Sequence, residues 1–425
     1  MYVPGVAATC GQATEEGALA GPLADVRVVD LAGESGQFAG RLLAQLGADV
    51  IRVEPPEGSP VRSRQPFLDG VQGRERSLYH LHFNAGKRGI TLDYRSEQGS
   101  ELLRRLAAAS QMLIETAPPG EMDALGLGFE SLREESPRLL YGTVTPFGQE
   151  GPMRDYRAPD IVASAMSGLM YLNGDPSDPP NQPAAEQAYH MASLALVSAA
   201  LIALVGQDRG AGDGPPGRRI DVSIQEAASM ATLQNAPPNA YAWHGTVARR
   251  RGNVGLNGGR NLYQCRDGRW VSFTVPPYRW DEFIEWLEEE AIESEARTLE
   301  FRDASYRQAN GTITSAAVFV LTERYGAEYL FHEGQRRGLL VMLVNDVEQL
   351  TGDRQLKERG YFAETRHALL GRTLTDAGTP MIFSGERPQV GRVAPSLGEH
   401  NEEVYQGLLG LSDDELERLR EEGVA

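Results

Sequence analysis

Between residues 26 and 145 the sequence switches again and again from short apolar runs to longer stretches with helical spacing. VRVVDLA (26–32), ADVIRVEPP (48–56), RGITLDY (88–94), QMLIET (111–116) and RLLYGTVT (138–145) read as strands. QFAGRLLAQLG (37–47), SEQGSELLRRLAAAS (96–110) and FESLREESP (129–137) lie between them with apolar residues at helical intervals. Strands that alternate with helices argue for a parallel sheet covered on both faces. The expected class is therefore α/β, with a Rossmann-like βαβ shape.

The second half is organised differently. MASLALVSAALIALVG (191–206) is the longest apolar run, shorter than the roughly 18–20 residues of a membrane span, and reads as a buried core helix. GQDRGAGDGPPGRR (206–219) is a turn or linker rich in Gly and Pro. RIDVSI (219–224), RWVSFTV (269–275) and GLLVMLV (338–344) read as strands, and RWDEFIEWLEEEAIESEARTL (279–299) as a helix. LSDDELERLREEGV (411–424) is a helix capped by Ser412 or Asp413. The expected organisation is a loose tail over 1–20 and a large domain from 21–218 and 335–425. A small α+β domain over 219–334 is inserted between them.

Charge and composition exclude several classes. The net charge of −18 repels a phosphate backbone, and no Lys/Arg run provides a local basic patch, so a nucleic-acid partner is not expected. The two cysteines, Cys10 and Cys265, make neither a disulfide framework nor a metal cluster, which suits a reducing cytoplasm. The histidines are scattered without metal-ligand spacing, and no serine sits in G-x-S-x-G. No membrane segment, signal peptide or metal is expected. Of 41 basic residues only Lys87 and Lys357 are lysine, which marks Lys87 as a place where a compact ammonium is used.

Two stretches invite a functional reading. The first strand and helix resemble a dinucleotide site, but Gly33, Gly36 and Gly40 do not have the G-x-G-x-x-G spacing. In RAPDIVASAMSGLMYLNGDP (157–176), Asp160 stands alone at the head of an apolar run. The plain reading is a helix N-cap, worth about 1 kcal/mol. Gly168 sits mid-helix, and the small residues Ala163, Ser164, Ala165, Ser167 and Gly168 make a face on which a neighbouring group can approach closely.

Six stretches in order resemble the class III coenzyme A transferases, the CaiB/BaiF family. They are LGADVIRVEPP (46–56), FNAGKRGITLD (83–93), ETAPPGEMDALGLGFESL (115–132), TPFGQEGPMRDYRAPDIVASAMSGLMYLNG (145–174), GRRIDVSIQEA (217–227) and LGEHNEEV (397–404). The resemblance covers roughly residues 20–425. It implies a Rossmann-like large domain with a small inserted domain, in an interlocked dimer.

The resemblance also implies a reaction: coenzyme A is moved from an acyl-CoA to a carboxylic acid. It makes Asp160 the nucleophile, passing through an acyl anhydride and an aspartyl-CoA thioester, with no metal. It names Ser35, Gly36, Asn84, Lys87, Arg88 and Thr116 as contacts of coenzyme A, and Phe147 as a wall for its pantetheine arm. It places a lid at NVGLNGGRN (253–261), with Gly258 and Gly259 as its adjacent glycines; a simple turn is the plain alternative. The chain departs from the pattern at Pro55 and Ala124, where relatives carry contacts for the nucleotide end. Acyl-CoA racemases of the same fold place a histidine immediately before the aspartate; here that residue is Pro159, which cannot move a proton. A non-catalytic subunit of a mixed pair is the third possibility. The implied partners are an acyl-CoA, a carboxylic acid and either a second copy or a paralogous subunit.

Overall fold

The computed structural model describes residues 21–209, 217–233, 241–255, 259–367, 370–388 and 391–425. The expected tail, residues 210–216 of the linker and Gly258 of the expected lid lie outside the described residues. The chain divides into two units: 1–169, 183–235 and 360–425 form the larger, and 170–182 with 236–359 the smaller.

The larger unit is built on six parallel strands: β1 (Arg27–Asp30), β2 (Asp49–Glu54), β3 (Arg88–Thr91), β4 (Met112–Glu115), β5 (Leu140–Thr145) and β6 (Arg218–Ser223). Their order is β3-β2-β1-β4-β5-β6, and every neighbouring pair is parallel. The strands alternate cleanly. Val28, Val50, Met112 and Leu140 enter one core, while Val29, Ile51, Leu113 and Tyr141 enter the other. Both faces are therefore covered, as parallel strands require.

Helices α1 (Gln37–Gln45), α6 (Asp160–Met166), α8 (Gln187–Asp208) and α9 (Ile224–Leu233) belong to the first face. In chain order the remaining helices from α2 to α7 are α2 (Leu78–Phe83), α3 (Glu97–Ala108), α4 (Glu121–Ala124), α5 (Phe129–Glu135) and α7 (Leu169–Leu172). Leu102, Leu103 and Leu106 of α3 and Leu132 of α5 pack on the second face, joined by Leu416 and Leu419 near the C-terminus. Gly142 in β5 lets α8 come close: a Cβ there would lie 2.8 Å from Leu196 Cδ1. With 22 residues α8 is longer than expected, and by length and composition alone it could cross a membrane. Here Ala188, Ala192, Leu196 and Ala200 are wholly buried in the first core. The capping box of the C-terminal helix, Asp413–Glu421, uses Ser412 rather than Asp413.

Two boundaries differ from the sequence expectation. The strand at 219–224, assigned to the small domain, is β6 and pairs with β5 along its full length. The strand near 340, assigned to the large domain, pairs antiparallel with a strand of the smaller unit instead. That unit holds an antiparallel sheet of β7 (Leu262–Gln264), β8 (Trp270–Thr274) and β9 (Leu340–Val344). Its core gathers Phe273, Phe283, Trp286 and Leu321, with Trp286 stacked on Phe273 at 5.9 Å.

Candidate active site

In an open α/β sheet, ligands bind beyond the carboxyl ends of the strands where the strand order reverses. Here that point lies between β1 and β4. The turn after β1 (residues 31–36) and the turn after β4 meet there. Gly33 N–H donates to Thr116 Oγ1 at 2.8 Å. Gly36 faces Thr116 so closely that a Cβ would lie 2.7 Å from its Cγ2, so a larger residue would push the two turns apart. Ser35, Gly36 and Thr116, named by the resemblance, thus come together at the switch point. Ser35 and Thr116 are half-buried.

Beneath the first turn lies a buried ionic cluster. Asp30 accepts from Ala32 N–H at 2.9 Å and pairs with Lys87 Nζ at 2.7 Å and Arg52 at 3.4 Å. Lys87 Nζ also donates to Gln37 O at 2.9 Å and Asn84 Oδ1 at 3.0 Å, so all three of its protons are used. Lys87 and Asn84 are fully buried. Both therefore hold the turn in place, with no donor of Lys87 left for a phosphate. Arg88 is also committed: its guanidinium binds both oxygens of Asp49, at the start of β2, and pairs with Glu403 at 2.9 Å. Phe147, after β5, is half-buried and meets the exposed Tyr156 edge to face at 6.5 Å, outside the core.

Asp160 opens α6 as its first residue; Pro159 is the N-cap, and no side chain caps that helix. The expected capping of its own helix is therefore corrected. Asp160 Oδ1 accepts from Tyr189 N–H at 3.1 Å, in the first turn of α8, while Oδ2 accepts from Ser164 Oγ at 3.3 Å. The carboxylate caps the neighbouring helix, in a position its dipole favours. Asp160 is only 5% exposed, and each oxygen has a partner.

A second carboxylate stands at the same helix end and was not singled out in the sequence. Glu186 is the N-cap of α8, and its side chain makes no cap bond. It turns instead to Arg64, which pairs with it, and to Tyr79, whose hydroxyl donates to Oε2 at 2.7 Å. The Arg64 guanidinium lies 4.0 Å over the Tyr79 ring and also pairs with Glu34 in the turn after β1. Burial and the Glu186 carboxylate raise the Tyr79 pKa, so its hydroxyl stays a donor. Burial lowers the pKa of nearby His190, against the charges of Glu186 and Asp160. The Glu186 side chain is 17% exposed and is tied through Arg64 to the switch-point turn. Its signal in the sequence was a carboxylate heading the longest apolar run.

Gly259 belongs to the smaller unit. Its carbonyl accepts from Gly255 N–H at 2.7 Å, and its Cα packs where a Cβ would meet Ser315 Oγ at 2.9 Å. Val254 and Arg260 form an isolated antiparallel bridge, so the described residues on either side of 256–258 lie alongside each other. Among the described residues no cluster of His, Cys, Asp and Glu is arranged to hold a metal ion.

The chain is similar to known proteins along most of its length. The family model for CoA-transferase family III matches residues 23–401. The chain is 36% identical to the succinyl-CoA:(R)-benzylsuccinate CoA-transferase subunit BbsE of Thauera aromatica, across 89% of this chain and 92% of that one. It is 29% identical to the succinate–glutarate CoA-transferase of Agrobacterium fabrum, across 91% and 96%. A solved CaiB/BaiF family protein from Brucella suis superposes with a TM-score of 0.80 at 29% identity, across 91% of this chain and 99% of that one. The chain belongs to the class III coenzyme A transferases, the CaiB/BaiF family.

Proposed function

We propose that this protein exchanges coenzyme A between two carboxylic acids through a carboxylate of its own, and that Glu186 is that carboxylate. The carrying observation is the contrast at the α8 N-terminus. Asp160 is closed in and spends both oxygens on Tyr189 and Ser164. Glu186 is partly open and linked to the turns at the strand switch point.

In this reading a Glu186 oxygen attacks the thioester carbonyl carbon of the acyl-CoA. The carbon–sulfur bond breaks, and a mixed anhydride and coenzyme A thiolate result. The thiolate then attacks the Glu186 carboxyl carbon, releasing the donor acid and leaving a glutamyl-CoA thioester. The acceptor carboxylate attacks that thioester, frees the thiolate and forms a second anhydride. Thiolate attack on the acceptor acyl carbon gives the new acyl-CoA and restores Glu186. One thioester is traded for another, so no external energy source is needed. Arg64 and Tyr79 hold the carboxylate in place, and burial of the site limits hydrolysis. Asp160 is a positioning residue that fixes the first turn of α8.

The names of the two curated relatives pair succinyl-CoA or succinate with other dicarboxylic acids. Succinyl-CoA is therefore the first donor to try. After incubation with it, the intact mass of the wild type is expected to rise by a succinyl or coenzyme A increment. Glu186→Gln is expected to show no adduct and to lose at least about 10³-fold in turnover, as for loss of a covalent nucleophile. Asp160→Asn is expected to keep the adduct with reduced stability. An adduct retained in Glu186→Gln and lost in Asp160→Asn would return the nucleophile to Asp160.

The active assembly in this reading is a dimer, of two copies or with a paralogous subunit, as the word subunit in the Thauera relative's name suggests. Exposed Ile161, Val162 and Met166 on α6, Leu194, Ile202 and Val205 on α8, and Met230 on α9 support it. Light scattering on the chain expressed alone distinguishes a homodimer from a monomer that awaits a partner.

A further inference from the structure

The smaller unit contains a cavity of about 250 Å³. Phe273, Trp280 and Val318 are among its apolar lining residues, and Arg260, Ser305 and Arg307 among its polar ones. A water molecule takes up roughly 30 Å³ of liquid, so a small organic molecule fits the space.

Arg307 sets this cavity apart. It is only 9% exposed. Its Nη1 donates to the carbonyls of Phe301 at 2.6 Å and Arg302 at 2.9 Å. The guanidinium also lies over the Trp280 ring, 4.8 Å from its centre. Yet it forms no ion pair among the described residues, and Nε and Nη2 have no protein acceptor there. A cation taken out of water without a counter-charge is costly, and two carbonyls and a ring offset only part of that cost. A carboxylate is the group that matches the free edge of the fork. Arg260, exposed at the cavity rim, likewise has no carboxylate partner among the described residues and adds a second positive charge.

We infer that this cavity binds a small monocarboxylic acid, with its carboxylate on Arg307 and its apolar body against Trp280 and Val318. The site lies wholly within the smaller unit and does not depend on the assignment of Glu186 as nucleophile.

Benzoate titrated into the full chain, with benzyl alcohol as the neutral control, tests this by calorimetry. One benzoate per chain is expected to bind with a Kd of about 1 mM or tighter, and benzyl alcohol at least about tenfold more weakly. Arg307→Gln is expected to weaken benzoate at least about tenfold. Ser305 is exposed and lines the cavity, so Ser305→Trp fills it without entering the core and covers the case in which Arg307→Gln does not fold. Ser305→Trp is expected to abolish binding, and Glu186→Gln to leave it unchanged. No saturation by about 20 mM, equal affinity for the alcohol, unchanged binding in Ser305→Trp, or loss in Glu186→Gln would each overturn the inference.

Discussion

Asp30→Asn is expected to destabilise the larger unit by about 3–5 kcal/mol at pH 6, and by clearly less at pH 9. The substitution keeps the shape of Asp30 and removes only its charge. Arg52 and Lys87 are then left buried with no anion between them. Arg52 cannot shed its proton, but Lys87 can. Burial already draws the Lys87 pKa down to about 8, with Asp30 pulling the other way. Without Asp30 it falls further, while in the unfolded chain Lys87 keeps its ordinary pKa near 10.5. The unfolded state then binds more protons across that window, so the stability of the variant rises with pH. Urea midpoints at the two pH values measure this. A penalty that does not change with pH would mean that Lys87 keeps its proton in the variant and that its deprotonation does not relieve the unpaired charge. The same variant is expected to weaken acyl-CoA binding, because Asp30 anchors the turn that ends at Gly36.

The alternation that predicts a parallel sheet is a local property, and the strands β1 to β5 stand where it put them. Which strand pairs with which is not local. GLLVMLV reads as a strand in any setting, but only the structure shows that its partner is β8 rather than a strand of the larger sheet. The reading of β6 failed for a related reason: the Gly- and Pro-rich stretch before it signals a linker, and a linker can return the chain to the same sheet.

The acids of the site show the same limit. Asp160 is legible as a carboxylate at a helix start, yet the N–H it caps belongs to Tyr189 on another helix. Glu186 is one of 59 acidic residues, and nothing in its neighbours announces Arg64 or Tyr79, more than a hundred positions earlier. The rarity of lysine did pick out Lys87 as a distinctive ammonium. Its partner Asp30, 57 residues upstream, turns that distinction from ligand binding to support of the turn.

Two buried groups with opposite protonation preferences are expected to place the protein's stability maximum on the acid side of neutral, between about pH 4.5 and 6.5. His80 is fully buried; its Nε2–H donates to Pro395 O at 3.1 Å, and its Nδ1 accepts from Asn84 at 3.2 Å. That pattern suits a neutral ring. Burial, with the Arg62 charge next and Glu54 opposing, holds its pKa down at about 3. The unfolded chain takes up this proton first, so stability is lost as pH falls from about 6.5 toward 3. Glu54, lowered to about 2 by Arg62 and Arg52 against its burial, adds a further loss below about pH 4.5. Glu115, at the end of β4, behaves the other way. Burial raises its pKa to about 8, although it accepts the Ala117 N–H. The folded state holds this proton longer, so stability is lost as pH rises from about 4.5 to 8. Glu115→Gln imitates the protonated acid. It is therefore expected to be nearly neutral at pH 5 and more stable than wild type by on the order of 3 kcal/mol at pH 8.5. His80→Gln is expected to uncover the opposing Glu115 slope, so that stability falls as pH rises from about 4.5 to 6.5, while the Glu54 loss below about pH 4.5 remains. Urea midpoints from pH 4 to 9 on the three proteins separate the contributions. If Glu115→Gln is less stable than wild type at pH 8.5, the carboxylate is being held ionised by Arg219 and the Ala117 N–H. The alkaline limb then belongs to another group.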